Sequence, residues 1–372
     1  WLEHIARSLD HTEKLRSYAE TVSDTVKKSI FRKLASERAV KIRCLEALHG
    51  IPIGTGAKLD DLDGDLLHPH ALKNHRTLYL SDRRSAGFDD DPDREARERL
   101  AGALRRLNGD VNRTARSYYA LLLMDGDRLG RLLREHAPDE ISRALLEFTG
   151  GVSGTVAQWD GVTIYAGGDD VLALLPMDKA LGCAAALRTL YGERFAGRGI
   201  EEATASCAII LAHHQYPLQG VIREAHHQLD DIAKDANGRD SLAVAVLKPS
   251  GVTAQWVNPW ETGHPDTGLE QLVREMAEGR FSRGFFHKMR DRYGFLDSVQ
   301  DGPDDIDRKR LLVAEYLQSR ERDTTLEEAE RCIDRLLGAC RPFVRENGRP
   351  VPRPGLRLGG GFIARFMTQE ED

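Results

Sequence analysis

The sequence predicts an α+β fold, a ferredoxin-like domain with helical domains before and after it. Between residues 117 and 247 the strand and helix patterns follow the order βαββαβ, with one extra helix. Two of these strand patterns flank Gly167-Gly168-Asp169-Asp170, a composition typical of a tight hairpin turn. With 41% hydrophobic residues among 372, the chain can form two or three domains. We place the domains at residues 1–115, 116–250 and 266–372.

The first domain has a helical pattern, because apolar residues recur at spacings of three and four within residues 1–49. Residues 50–58 resemble a phosphate-binding loop without its closing Lys-Ser or Lys-Thr, and we interpret them as a plain loop. Residues 89–105 predict a loop that leads into an exposed helix. The chain begins with Trp1 rather than Met, so we expect a fragment of a longer protein.

The central domain is predicted element by element. We expect strands near 117–124, 162–166, 171–175, 203–211 and 241–247, and helices near 128–137, 139–149, 178–193 and 217–235. In a ferredoxin-like sheet the first strand lies antiparallel to the third. The end of the first strand therefore meets the turn that opens the third, and Asp125 should lie beside Asp169 and Asp170.

Three carboxylates at one strand edge indicate a metal site. They would repel one another and have raised pKa values unless cations neutralised them. Oxygen ligands of this kind suit Mg²⁺, or Mn²⁺, which commonly binds together with a phosphate. Two such ions can hold an attacking hydroxyl and a leaving pyrophosphate, and the helix after Gly126 could offer amides to a triphosphate. The alternative is a hairpin turn with solvated acids.

Two neighbouring polar residues have two interpretations each. Asp127 would either join the site or cap the helix that starts at Arg128, and we favour the cap. Lys234 would either reach the same sheet edge or lie solvated at a helix end. The pairs His213-His214 and His226-His227 lack cysteine or carboxylate partners at zinc-ligand spacing, so we predict polar contacts for them.

Overall composition restricts the function classes. The net charge of −6 argues against general nucleic-acid affinity, so RNA contacts should be local or shared with partners. Because no run of some eighteen apolar residues occurs, we expect a cytoplasmic protein. The five cysteines form no CxxC pair, which predicts reduced thiols in the core.

The third domain is predicted to be helical. Residues 249–268 contain Pro, Gly and Trp and are interpreted as a connector at a domain boundary. Helices are expected at 269–289 and 308–318, and Thr325 with Glu328 predicts a capping box for a third helix. Residues 341–361, rich in Arg, Gly and Pro, predict a loop or extended arm.

Several of these motifs together resemble a known family. MDGDRLG, YAGGDD followed by VLALLP, ATASCAII running into AHHQYPL, and Ala233-Lys234 followed by GRDSLAVAV are similar to the large subunit of type III CRISPR effector complexes, the Cas-ten family, and most closely to its Cmr-type members. The resemblance covers about residues 117–260. It implies a second palm domain similar to GGDEF cyclases and polymerase palms.

The resemblance implies an enzyme and a set of roles. The expected function is cyclic oligoadenylate synthesis from ATP on target RNA binding, within an effector complex of guide RNA and other subunits. It implies that Asp125, Asp169 and Asp170 hold the metals. The nucleotide-binding residues that it implies are Gly126, Asp127, Gly167, Gly168, Ser206 facing the adenine, and Lys234 reaching the triphosphate. The alternatives are a GGDEF-like dinucleotide cyclase and a noncatalytic scaffold subunit.

Overall fold

The chain divides into two compact units, residues 1–117 and 118–372. The computed structural model describes residues 17, 18, 21, 94–111, 117–262, 268–282, 285–286, 288–289, 305–319 and 324–368. Most predictions for residues 1–93 therefore lie outside the described residues. In the first unit, helix α1 (Arg94–Val111) follows the predicted helical pattern. Its apolar face is buried at Leu100, Leu104 and Leu107, so the helix is only partly exposed.

The second unit is built on a six-stranded sheet. Its strands are β1 (Tyr118–Gly126), β2 (Val162–Gly167), β3 (Asp170–Leu175), β4 (Ala205–His213), β5 (Ser241–Lys248) and β6 (Gly251–Pro259). The spatial order is β2-β3-β1-β4-β5-β6. Only β4 and β5 pair in parallel. The order of the first four strands confirms the ferredoxin-like prediction.

Helices cover both faces of this sheet, which explains why β1, β4 and β5 are apolar almost without interruption. After the short α2 (Leu129–Glu135), α3 (Pro138–Gln158) and α4 (Met177–Ala196) pack on the face that includes Leu122 and Met124. On the other face α5 (Leu218–His226) packs against Leu121 and Leu123 and continues as a π-helix (His227–Ala236). The predicted helix at 217–235 thus has two geometries.

Two segments predicted to be irregular are strands. The interpretation of residues 249–268 as a connector is wrong for Gly251–Pro259, because this stretch forms β6 and pairs with β5. The turn consists of Pro249 and Ser250, and Gly251, with φ 101°, follows it as the first residue of β6. The predicted arm contains a second sheet, β7 (Phe343–Glu346) and β8 (Arg349–Pro352), joined by Asn347-Gly348 with positive φ at both residues. Asn-Gly is a strong hairpin signal, which the Arg, Gly and Pro content obscured.

The C-terminal helices are α6 (Leu269–Ala277), α7 (Asp305–Gln318), α8 (Leu326–Cys340) and α9 (Gly359–Thr368). The capping box of Thr325 and Glu328 is confirmed at the start of α8. The predicted helix 269–289 ends early, at Ala277, and Gly279 follows with φ 73°.

The C-terminal segment is attached to the central sheet through β6. The Trp256 indole nitrogen donates to the carbonyl of Ala339 over 2.7 Å, and the Phe343 amide donates to Asn258 Oδ1 over 2.9 Å. The sheet and these helices therefore share one compact unit.

Two smaller predictions concern the composition. Among the described residues, Cys183, Cys207, Cys332 and Cys340 are buried and form no disulfide, in agreement with the prediction, whereas Cys44 lies outside them. A search of the described helices for a membrane-spanning candidate identifies none of sufficient length and apolar character.

Candidate active site

The structure brings Asp125, Asp169 and Asp170 together. β1 pairs antiparallel with β3, with Met124 opposite Val171, so the end of β1 lies beside the turn that opens β3. One carboxylate oxygen from each of the three aspartates lies within 4.8 Å of the other two. The predicted strand order therefore gave the correct neighbourhood for these side chains.

The turn before β3 is tight and is held by a hydrogen bond from α3. Gly167 pairs with Asp170, which leaves Gly168 and Asp169 as the two turn residues. Gly168 has φ 63°, a conformation that a type II′ turn requires at this position. The Thr149 hydroxyl of α3 donates to the Gly168 carbonyl over 3.1 Å, so helix packing fixes the turn that carries Asp169.

The carboxylates of Asp125, Asp169 and Asp170, the triad, repel one another. Burial, and then the charge of Asp125, raise the pKa of Asp169 to about 6. Burial and the proximity of Asp125 also raise the pKa of Asp170. Both shifts mean that the ionised carboxylates are less stable here than in water and would gain from a nearby cation.

One such cation is supplied by the protein itself. Lys234 lies on the π-helix, is 12% exposed, and makes an ion pair with Oδ2 of Asp125. Its Nζ lies 3.7 Å from Oδ1 of Asp230, one turn earlier. The structure thus places Lys234 at the triad, as expected, and adds Asp230, whose spacing of four residues was visible in the sequence.

Close packing beneath the triad requires a glycine at position 126. A Cβ on Gly126 would lie 2.5 Å from the Tyr191 hydroxyl and 2.8 Å from Cβ of Asp169. Among the described residues this hydroxyl is buried with no hydrogen-bond partner, and burial followed by the charge of Asp169 raises the pKa of Tyr191. Tyr191 was not predicted as a site residue, because in the sequence it is only one polar aromatic residue on an apolar helix face.

Asp127 does not have the predicted capping role. Helix α2 is preceded by Arg128 in the left-handed region, with φ 56°, and no side chain caps it. Asp127 is instead buried, and it accepts hydrogen bonds from Thr204, Ser206 and the backbone amide of Asp240, at 2.8, 2.8 and 2.9 Å. Burial raises the pKa of Asp127 despite these bonds. The residue connects three chain segments behind the triad.

Ser206 also differs from the expectation. It lies opposite Asp125 in the pairing of β1 with β4, is fully buried, and donates its hydroxyl to Asp127. The expectation that it faces an adenine is wrong, because its side chain points into the interior and its donor is already used.

The donor set fits a hard divalent cation. Carboxylate oxygens are the ligands that Mg²⁺ and Mn²⁺ prefer. Among the residues that the structure describes, the triad is the one group of three His, Cys, Asp or Glu side chains close enough to hold an ion. The His226 and His227 side chains instead face Asp230 and Asp231, with Nδ1 to Oδ2 distances of 3.6 and 2.6 Å.

One family model and one curated relative match parts of this chain. Residues 118–243 match the family model described as Cas10/Cmr2, second palm domain. CRISPR system Cmr subunit Cmr2 of Pyrococcus furiosus is 27% identical over 262 residues, which is 62% of this chain and 29% of the relative. The chain therefore spans less than a third of the length of this curated relative.

Two of the solved structures that match this chain are the following. A Type III-B Cmr-beta structure in the apo state has a TM-score of 0.47 and 14% identity, covering 95% of this chain and 46% of the other. A Csm1-Csm4 cassette in complex with cA4 has a TM-score of 0.36 and 17% identity, covering 60% and 37%. From the family model and the curated relative, we conclude that residues 118–243 are similar to the second palm domain of Cas10/Cmr2.

Proposed function

We propose that this chain is the cyclic oligoadenylate synthase part of a type III CRISPR effector complex, a cytoplasmic nucleotidyltransferase that joins ATP through 3′-5′ phosphodiester bonds. The observation that carries the proposal is the convergence of three carboxylates within 4.8 Å at the edge of a palm sheet, with Lys234 beside them. A relative named as a Cmr subunit supports a place in such a complex.

Each residue of the site would have a distinct task. Asp125, Asp169 and Asp170 would hold the divalent cations, which supply a polarised ribose hydroxyl and a stabilised pyrophosphate leaving group. The aspartates act as an electrostatic scaffold and remove no proton themselves. Lys234 would leave Asp125 and bind the triphosphate when ATP enters. Its ammonium group can make this move because it is a point charge on a flexible side chain.

The turn and the strand end would position these groups. Gly167 and Gly168 leave the turn free of side chains, so a nucleotide can approach the backbone. Gly126 lets Asp169 and Tyr191 pack against the strand end without a methyl group between them. Asp127 and Ser206 would support the site from the interior and would not contact the nucleotide.

The partners are proposed by the same reasoning. The net charge of −6 offers no general attraction to a phosphate backbone, so guide RNA and target RNA would be bound together with other effector subunits. Target RNA would act through the assembled complex.

The test is product formation from ATP and Mg²⁺, followed by mass spectrometry. We expect cyclic oligoadenylates from the chain assembled with its effector subunits, guide RNA and target RNA, and none after Asp169→Ala with Asp170→Ala. Removing two of three ligands leaves one carboxylate, which cannot hold two divalent ions. The matched control is Asp178→Ala, which removes an exposed acid from the first turn of α4 and should leave product formation unchanged.

Three results would contradict the proposal. Product formation that survives the double replacement would show that the triad is not the metal site. Binding of ATP without turnover in the complete assembly would favour a noncatalytic, nucleotide-sensing scaffold, and guanine in the product would favour a GGDEF-like dinucleotide cyclase.

A further inference from the structure

The loop between the π-helix and β5 has an unusual backbone. Gly238, Arg239 and Asp240 all have positive φ, of 84°, 73° and 45°. For the two residues that carry a Cβ, this region is energetically unfavourable, so contacts from the surroundings must stabilise it. The loop begins three residues after Lys234, and its geometry therefore determines where the last turn of that helix lies.

The β7-β8 hairpin holds this loop through one residue. The Arg345 guanidinium makes an ion pair with Oδ2 of Asp240, and the Arg345 amide donates to the Asn237 carbonyl over 2.9 Å. The hairpin also packs directly on Gly238, where a Cβ would lie 2.1 Å from the Arg345 carbonyl oxygen. Arg345 thus contacts the start, middle and end of the loop.

The same loop is attached to the strand that carries Asp125. The Asp240 amide donates to Oδ2 of Asp127 over 2.9 Å, and Asp127 follows Asp125 by two residues. The Asp240 side chain is 3% exposed, and Nε of Arg188 lies 3.1 Å from its Oδ1. The two arginines balance a buried carboxylate that would otherwise be strongly destabilising.

We propose that Arg345 is a positioning residue for the triad: through Asp240 it fixes the loop and so holds Lys234 against Asp125. Arg345 touches none of the triad residues, and its effect passes through the loop and the π-helix. The expected change in ATP binding rests on the proposed function. The expected changes in the exchange of the loop and in the binding of a metal ion alone do not.

The proposal predicts opposite changes in two affinities. Lys234 competes with a metal ion for Asp125, so a loosened Lys234 should let Mn²⁺ bind about two- to fivefold more tightly, the range expected for losing a partly exposed ion pair. ATP should bind more weakly by a similar factor, because the same ammonium group would no longer be held for the triphosphate. General damage to the fold would instead weaken the binding of both Mn²⁺ and ATP.

The experiment uses the full chain in four forms: wild type, Arg345→Ala, Arg345→Lys and the control Arg353→Ala. Arg353 lies just after the same hairpin, and its guanidinium pairs with Glu346 rather than with the loop. Hydrogen exchange is followed by mass spectrometry for peptides covering 228–240 and for α3 as a reference. Affinities for Mn²⁺ alone, and for ATP with Mg²⁺, are measured by calorimetry.

For Arg345→Ala we expect exchange in 228–240 to accelerate about tenfold or more, with α3 unchanged, because a buried ion pair is lost locally. Arg345→Lys should restore part of the protection, and Arg353→Ala should match wild type.

Unchanged exchange in the loop would overturn the proposal, and so would faster exchange throughout the chain. An equal effect of Arg353→Ala, or weaker binding of both Mn²⁺ and ATP, would also overturn it. Wild-type protein that binds Mn²⁺ but not ATP would refute the proposed function alone, since exchange and Mn²⁺ binding still test Arg345.

Discussion

The ionisation of Asp169 affects the stability of the ligand-free protein. Its pKa is raised from 3.8 to about 6, first by burial and then by Asp125. The folded protein therefore binds this proton more tightly than the unfolded chain. The stability that results is complete below about pH 4 and is lost as the pH rises through the folded pKa.

We predict that Asp169→Asn stabilises the metal-free protein at pH 7.5. The gain should be on the order of 1 kcal/mol once solvent screening of a partly exposed group is allowed for, and it should vanish near pH 4, where the wild-type carboxyl is protonated. Urea unfolding at the two pH values, in the presence of a chelator, measures the difference. The control Glu193→Gln alters an exposed acid of α4. An equal gain at both pH values would disprove the electrostatic explanation.

At this scale the sequence predicted which carboxylates meet, but not what the polar residues behind them do. Asp125, Asp169 and Asp170 could be placed because strand order decides which strand ends are adjacent. The role of Asp127 depends on Ser206 and Asp240, residues 79 and 113 positions away. No local pattern encodes such contacts, so a helix cap was the natural local interpretation.

Helix α8 begins at a position that nearby residues determine, through a capping box. Thr325 accepts from the Glu328 amide over 3.2 Å, and the Thr325 amide donates to Glu328 Oε2 over 3.3 Å. Both bonds were readable from residue types three positions apart. The apolar face of this helix, which includes Ile333 and Leu336, is fully buried.

We predict that Thr325→Ala lowers the free energy of unfolding by about 1 kcal/mol, because the Glu328 amide loses the Thr325 hydroxyl as its hydrogen-bond acceptor. Thr325→Ser retains a hydroxyl and should cost at most a few tenths of that amount. Thermal unfolding followed by circular dichroism provides the comparison. Equal stability of the alanine and wild-type proteins would mean that tertiary packing alone fixes the start of α8.

The elements that the sequence analysis missed are those stabilised by distant partners. β6 contains Gly, Asn and Pro, but it pairs along its length with β5 and buries Trp256 against α8. The π-helix has no local signature either, because an extra residue per turn is tolerated only where side chains such as Lys234 gain contacts elsewhere. Boundaries of the predicted strands and helices, by contrast, mostly lie within a few residues of those observed.

For the whole molecule, the position of β6 bears on the domain boundary proposed at residue 250. The strand covers the outer edge of β5, and the C-terminal helices cover apolar residues of the same sheet. A fragment ending at 250 would expose the β5 edge and this apolar surface, which favours aggregation.

We therefore predict that residues 116–372 unfold cooperatively as a separate fragment, whereas residues 116–250 do not. Cooperativity should appear as one calorimetric transition, and the shorter fragment should show dye binding typical of exposed apolar surface. If the shorter fragment unfolded at the same temperature as the longer one, the boundary at 250 would mark an independent domain and the C-terminal segment would be an accessory.

The ion pair between Lys234 and Asp125 also has a consequence for the order of binding events. Because the lysine neutralises one of the three aspartates in the ligand-free protein, a metal ion entering the site must displace an internal charge. A ligand that draws the lysine away releases Asp125 for the metal. Under the proposed function, the nucleotide and the metal would each strengthen the binding of the other by the same factor, so the site would be largely vacant when either is scarce.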